Sequence, residues 1–215
     1  MPRPLRFALV GIAAAAVASA QQPVVSTPSS GSLSPAQRAA ADSGRPPYNS
    51  ADVYFMSGMI GHHSQAVLMA GWAPSHGASP SVQTLCQRIV VAQNDEIATM
   101  TRWLVERHET VPDADAAHHD RMPGMNHASM MPGMLSPAQL AQLDSARGAE
   151  FDRLFLTVMI QHHQGALTMV DQVMNAPGAM EDDVMYKFAT DVAADQSTEI
   201  ERMQLMLAAM PVAPK

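Results

Sequence analysis

The feature that most limits how this chain can fold is that much of it is written twice. Residues 33–37 read Leu-Ser-Pro-Ala-Gln, and residues 135–139 read the same; Asp42-Ser43 returns as Asp144-Ser145 at the same offset of 102. The segment DVYFMSGMIGHHSQAVLM from Asp52 is echoed by DRLFLTVMIQHHQGALTM from Asp152, at an offset of 100. Gln93, Glu96, Ile97, Met100 and Leu104 then recur as Gln196, Glu199, Ile200, Met203 and Leu207, at an offset of 103. The order is kept throughout. This is a tandem repeat of about 100 residues, too long and too few in copies for a solenoid.

Each copy reads as helical. Ser34-Pro35, Ser79-Pro80 and Ser136-Pro137 each place a capping serine before a proline at the first helical position. Phe55, Met59, His62 or His63, Ala66 and Met69 recur at three- and four-residue steps, as do Phe155, Met159, His162 or His163, Ala166 and Met169. Leu85, Ile89, Gln93, Ile97, Met100 and Leu104 mark a second amphipathic helix, matched by Phe188, Val192, Gln196, Ile200, Met203 and Leu207. The spacing predicts long helices over 50–71, 80–108, 149–174 and 180–209, and short ones near 34–42 and 136–146. Short links within each copy make each pair an antiparallel hairpin. Neither hairpin can bury its apolar stripe alone, so the expected architecture is an all-α four-helix bundle built from two tandem helical hairpins. Residues 48–109 supply the first hairpin, 110–134 a long crossover and 135–209 the second, with 48–209 forming one domain.

The N-terminus carries a different signal. Arg3 and Arg6 precede an uncharged apolar run from Phe7 to Ala18, and Ala18-Ser19-Ala20 suits a signal peptidase. Residues 1–20 read as a secretory signal peptide, and 21–47 as a Pro/Ser-rich tether with a short helix. Lys plus Arg number 13 against 20 Asp plus Glu, a net charge of −7 that becomes −9 once the signal is removed. An acidic chain lacks the electrostatic footprint of a nucleic-acid binder. No later stretch is long and apolar enough for a membrane span. The expected location is the periplasm or the exterior, with no membrane association after cleavage.

The chemistry lies in 18 methionines and nine histidines. Met59-Ile60-Gly61-His62-His63 and Met159-Ile160-Gln161-His162-His163 place a thioether three and four residues before a pair of imidazoles, hence on a neighbouring part of one helix face. Met69, Met169, Met100 and Met203 recur further along the helices and extend the candidate ligand set. The crossover adds His118, His119, Met122, Met125, His127, Met130, Met131 and Met134. Its Met-Pro-Gly-Met phrase, at 122–125 and again at 131–134, has no core to fill in a solvated loop. Thioether sulfur selects Cu(I) and imidazole suits Cu(II), so the donor set points to copper, with silver as a mimic. The single Cys86 excludes a cysteine-based zinc site and reads as buried core. Asp52 and Asp152 read as helix caps, or as supports for a histidine. Glu-x-x-His motifs are missing, which counts against a di-iron carboxylate centre.

The doubled D-x-x-F-x-x-x-M-I-x-H-H segment, each copy followed by E-I-x-x-M, resembles domain-of-unknown-function family 305, exported ferritin-like proteins that include CopM-type copper binders. The matching residues are Asp52, Phe55, Met59, Ile60, His62, His63, Ala66, Met69, Glu96, Ile97 and Met100, with their second-copy equivalents from Asp152 to Met203. The resemblance spans roughly residues 48–209 and implies a ferritin-like four-helix bundle and a copper-handling role. The resulting expectation is an exported copper buffer or chaperone, whose partners are metal ions and a copper exporter or another periplasmic copper protein. A metal-dependent redox enzyme and a Met-rich interaction module are the competing readings.

Overall fold

The computed structural model describes residues 43–113 and 131–211, all within the second of two units into which the chain divides, 1–32 and 33–215. The described residues form five helices and no strand: α1 (Ser50–Gly71), α2 (Pro80–Glu106), α3 (Pro137–Ser145), α4 (Gly148–Met174) and α5 (Asp183–Ala209). The long helices start and stop within a few residues of the positions that the sequence predicts. The short helix expected near 34–42 lies outside the described residues, as do the expected signal peptide and most of the expected tether.

Helix starts follow local chemistry. Asn49 caps α1 in a reciprocal box with Asp52, and Ser136 caps α3 in the same way with Gln139. Pro80 and Pro137 occupy the first turns of α2 and α3. Asp182 caps α5 through the amides of Val184 and Met185. Asp52 and Asp152 then diverge from a simple capping role. Asp52 also accepts from the amide of Met180, just before α5. Asp152 accepts from the amide of Ser79, just before α2. Each buried carboxylate therefore ties the start of one inner helix to the opposite hairpin. Arg107, directly after α2, adds a buried ion pair with Asp182 and lies over the Trp103 ring at 4.2 Å.

α1 packs on α2, α4 packs on α5, and the two hairpins meet through α1 and α4. Two apolar clusters result, and the repeat exchanges their contents. One holds Ala66, Met69, Leu85 and Ile89 from the first copy with Phe155, Met159 and Met203 from the second. The other holds Phe55, Met59 and Met100 with Ala166, Met169, Phe188 and Val192. Each position in one list is the repeat equivalent of a position in the other. α1 and α4 thus cross antiparallel about a pseudo-twofold axis, and each apolar cluster is made half from each copy. α3 and its flanking residues close over the first cluster with Leu135, Leu143 and Ala146, and His76 anchors the helix by meeting Asp144 Oδ1 at 3.0 Å. Cys86 is buried there, and burial pushes its thiol up to about 12.

Because the clusters are separate, conservative losses in them should add. Ile89→Val and Ile60→Val should each lower stability by about 0.5–1.5 kcal/mol, and the double variant by the sum within about 0.5 kcal/mol. Denaturant unfolding of the metal-free protein measures this. Strong non-additivity would mean a single, continuous core.

Candidate metal centre

Between the two apolar clusters lies a layer of polar side chains. At the crossing of α1 and α4, His62 and His162 face each other with ring centroids 3.8 Å apart and planes tilted by 36°. His63 and His163 point away from that contact, 6.3 and 6.2 Å from their sequence neighbours, as adjacent positions on a helix must. Each meets a carboxylate of its own hairpin. His163 Nε2 is hydrogen-bonded to Glu199 Oε2 at 2.6 Å, and His63 Nε2 stands 2.7 Å from Glu96 Oε2, off the ideal hydrogen-bond direction. Gln93 and Gln196, one turn before those glutamates, are buried in the same helices.

All four imidazoles are at most 1% exposed, yet several polar atoms among them have no partner. These are His62 Nδ1, His63 Nδ1, His163 Nδ1, both nitrogens of His162, both amide atoms of Gln93 and Gln196 Oε1. A buried polar atom without a partner costs about 1–3 kcal/mol, and native structures hold few of them. Their concentration in one layer marks a place where another species completes the bonding. Burial, then the neighbouring His63, pushes the pKa of His62 down to about 3; burial, then His62, pushes His162 down as well. The central pair is therefore uncharged at neutral pH, which is the state in which imidazole donates to a metal. Near the outer edge, burial and then Glu96 and Glu199 raise the carboxyl of Asp195.

The sequence-derived ligands are thus distributed unevenly. His62 and His162 meet, and His63 and His163 turn to the carboxylates of their own hairpins. Met59, Met100 and Met169 lie in one apolar cluster, and Met69, Met159 and Met203 in the other, all buried as core side chains. Met131 and Met134 lie at the end of the crossover: Met134 is buried, and the Met131 sulfur would lie 3.5 Å from a Cβ added at Gly58. His118, His119, Met122, Met125, His127 and Met130 lie outside the described residues. Among the described residues, no group of three or more His, Cys, Asp or Glu is placed to hold one ion together. What the layer offers is a pair of facing imidazoles with sulfur-rich layers on either side. The sequence reading passed over Gln93, Gln196, Glu96 and Glu199 as site residues. Their shared Gln-x-x-Glu spacing at the repeat offset was the available signal.

The family profile described as a domain of unknown function, DUF305, matches residues 52–207. A crystal structure of a DUF305 fragment from Deinococcus radiodurans is similar with a TM-score of 0.65 and 27% identity, covering 77% of this chain and all of that one. CopM in its Cu(II)-bound form gives a TM-score of 0.57 at 28% identity, covering 73% of this chain and 95% of CopM. The Cu(I)- and silver-bound forms of CopM give 0.52 and 0.51. An uncharacterised protein of Acanthamoeba polyphaga mimivirus is 36% identical over 56 residues, so this chain spans 37% of that relative.

Acid should expose the cost of the neutral layer. An unfolded histidine titrates near 6.5, whereas folded His62 titrates near 3. Between these values the unfolded chain holds a proton that the folded chain does not, so stability is full above about pH 6.5 and falls as pH drops toward about 3. By about pH 4.5 His62 alone accounts for a loss on the order of 2–3 kcal/mol, and His162 acts in the same direction. Urea unfolding of metal-free protein at about pH 7 and about pH 4.5 measures it, with His62→Gln expected to flatten the slope. A slope unchanged by that substitution would place the acid sensitivity elsewhere.

Proposed function

The chain belongs to the family of the domain of unknown function DUF305, and on that premise we propose that it is an exported copper-binding protein, a buffer or chaperone in metal tolerance. One observation carries this reading. Two uncharged imidazoles from the two copies face each other across the bundle axis with centroids 3.8 Å apart, and three of their four nitrogens make no well-aligned hydrogen bond. Cu(I) is soft, accepts few ligands and favours neutral imidazole and thioether donors. Met59 and Met159 precede His62 and His162 by three residues, on a neighbouring part of the same helix face. Binding of Cu(II), Cu(I) and silver by CopM, a structural neighbour at 26–28% identity, supports the same cargo.

The remaining donors extend the reading outward. His63 and His163, with Met69, Met100, Met169 and Met203, form the rest of the bundle's ligand reserve. His118, His119, Met122, Met125, His127, Met130, Met131 and Met134 of the crossover recruit the ion before it enters. Residues 1–20 direct export to the periplasm or the exterior. None of the described helices is long and apolar enough to cross a membrane. The partners are the metal itself and a copper exporter or another periplasmic copper protein.

The test is metal analysis of purified protein after loading with Cu(I) or Cu(II) and removal of free ion, followed by competition against a chromophoric chelator. The wild type should retain copper. His162→Ala should weaken Cu(I) binding by about tenfold or more, the scale already seen when only a ligand's supporting partner is removed. Wild-type protein that retains no copper would overturn the proposal. A second expectation separates the donor types: replacing the crossover methionines by leucine should weaken Cu(I) more than Cu(II), because thioether sulfur prefers the softer ion. Equal losses would mean that the crossover methionines do not discriminate between the two ions, and no loss for either would assign both to histidine.

A further inference from the structure

The crossover rejoins the bundle at a place where the two repeat copies differ. Gln65 of α1 and Gly165 of α4 are equivalent positions, and residues 131–135 pass against both. Gln65 grips one residue from both sides: its Nε2 donates to the Leu135 carbonyl at 3.1 Å, and its Oε1 accepts from the Leu135 amide at 2.8 Å. Both bonds are buried. Gly165 makes room. A Cβ there would stand 2.1 Å from the Pro132 carbonyl oxygen and 2.5 Å from Gly133 Cα. A Cβ on Gly133 would in turn meet Gly165 Cα and the His162 carbonyl oxygen, each at 2.7 Å, and Gly133 has a φ of +79°, which favours glycine. One copy therefore holds the returning chain while the other admits it.

This seat has a chemical consequence. The Pro132 carbonyl lies 3.1 Å from His62 Nε2. A carbonyl oxygen can only accept, so Nε2 must carry the hydrogen. In the neutral ring the lone pair is then on Nδ1, which is buried and unpartnered. His162, the repeat equivalent of His62, has no contact from the crossover; the His62 carbonyl lies beside it and favours its charged form, but neither of its nitrogens makes a well-aligned hydrogen bond. The chain crosses between the copies once, so it can set only one of the two rings.

We infer that the returning crossover is the positioning element of the histidine pair: Gln65, Gly165 and Gly133 hold the Pro132 carbonyl on His62 and fix that ring in the Nε2–H tautomer. The donor atom toward a bound ion is then His62 Nδ1, and the duplicated layer is one asymmetric site instead of two equal ones. Carbonyl-to-histidine hydrogen bonds of this kind fix the tautomer and orientation of metal-binding imidazoles, and losing such a support lowers affinity by about 10–100-fold. The inference rests on the copper reading for the identity of the ion, while the tautomer of His62 stands apart from it.

The experiment uses that separation. In metal-free, ¹⁵N-histidine-labelled full chain at about pH 7.5, about one unit above the ordinary imidazole value of about 6.5, long-range ¹H–¹⁵N correlation reads the tautomer of His62. Wild-type His62 should show Nε2–H. Gln65→Ala, or the nearly isosteric Gln65→Met if alanine unfolds the chain, should convert His62 to a mixture of tautomers. The same variants should bind Cu(I) about 10–100-fold more weakly in chelator competition. An Nδ1–H or mixed His62 in the wild type overturns the inference whether or not copper binds. So does a Gln65 variant, folded by circular dichroism, that keeps both the tautomer and the Cu(I) affinity. A wild type with the expected tautomer but no copper binding overturns the copper reading instead and leaves the tautomer assignment supported.

Discussion

The architecture depends on the crossing of α1 and α4. There two helices of one repeated sequence run antiparallel and place the same residue, His62 and His162, against itself. Apolar side chains above and below that point come from both copies in exchanged positions, so neither hairpin owns a core. Burying those clusters supplies the main driving force for joining the hairpins. The price is a polar layer sealed between them, where rings are stripped of water and several nitrogens go unmatched. A fold that only needed stability would fill such a layer with hydrocarbon, because unsatisfied polar groups in the interior lower stability. Local departures of this kind from good packing cluster at functional sites.

Symmetry then meets a connection that cannot obey it. Two copies on one chain need a single crossover, and its return lies on one side of the layer. The structure accommodates it through an asymmetric pair of residues, Gln65 and Gly165, one donating and accepting a hydrogen bond with Leu135 and the other giving up its side chain. Gly58 against Val158 follows the same logic: the smaller residue stands where Met131 approaches α1. At these positions the copies differ where the returning segment passes between them.

The outer side chains of the layer show why function was only partly legible in the sequence. The two His-His pairs stood out because adjacent imidazoles repeated in one context are rare. Glu96 and Glu199 recur just as faithfully but carried no ligand or partner assignment until the hairpins brought them onto His63 and His163. Asp52 and Asp152 were read as caps, and only Asp52 caps its own helix. Asp152 serves the start of α2 in the other copy, a partner 73 residues away that no local pattern discloses. The bundle methionines read as ligands, yet each is also buried in an apolar cluster, where a flexible thioether fills space as readily as it donates to a metal.

The sequence by itself determined the helices and the pairing of each copy into a hairpin, because those follow from interactions among residues a few positions apart and from short links. The duplication also determined that equivalent residues would meet across an axis, since two copies sharing one core have few other ways to exchange their apolar faces. Tertiary structure decided which equivalents meet: His62 with His162, while His63 and His163 turn to their own hairpins' carboxylates. It decided the charge state of the central rings, because desolvation depends on what surrounds a side chain and not on its neighbours in sequence. And it decided that the Pro132 carbonyl falls on His62 alone, an outcome set by contacts about 70 residues apart along the chain and closed only when the crossover found its seat.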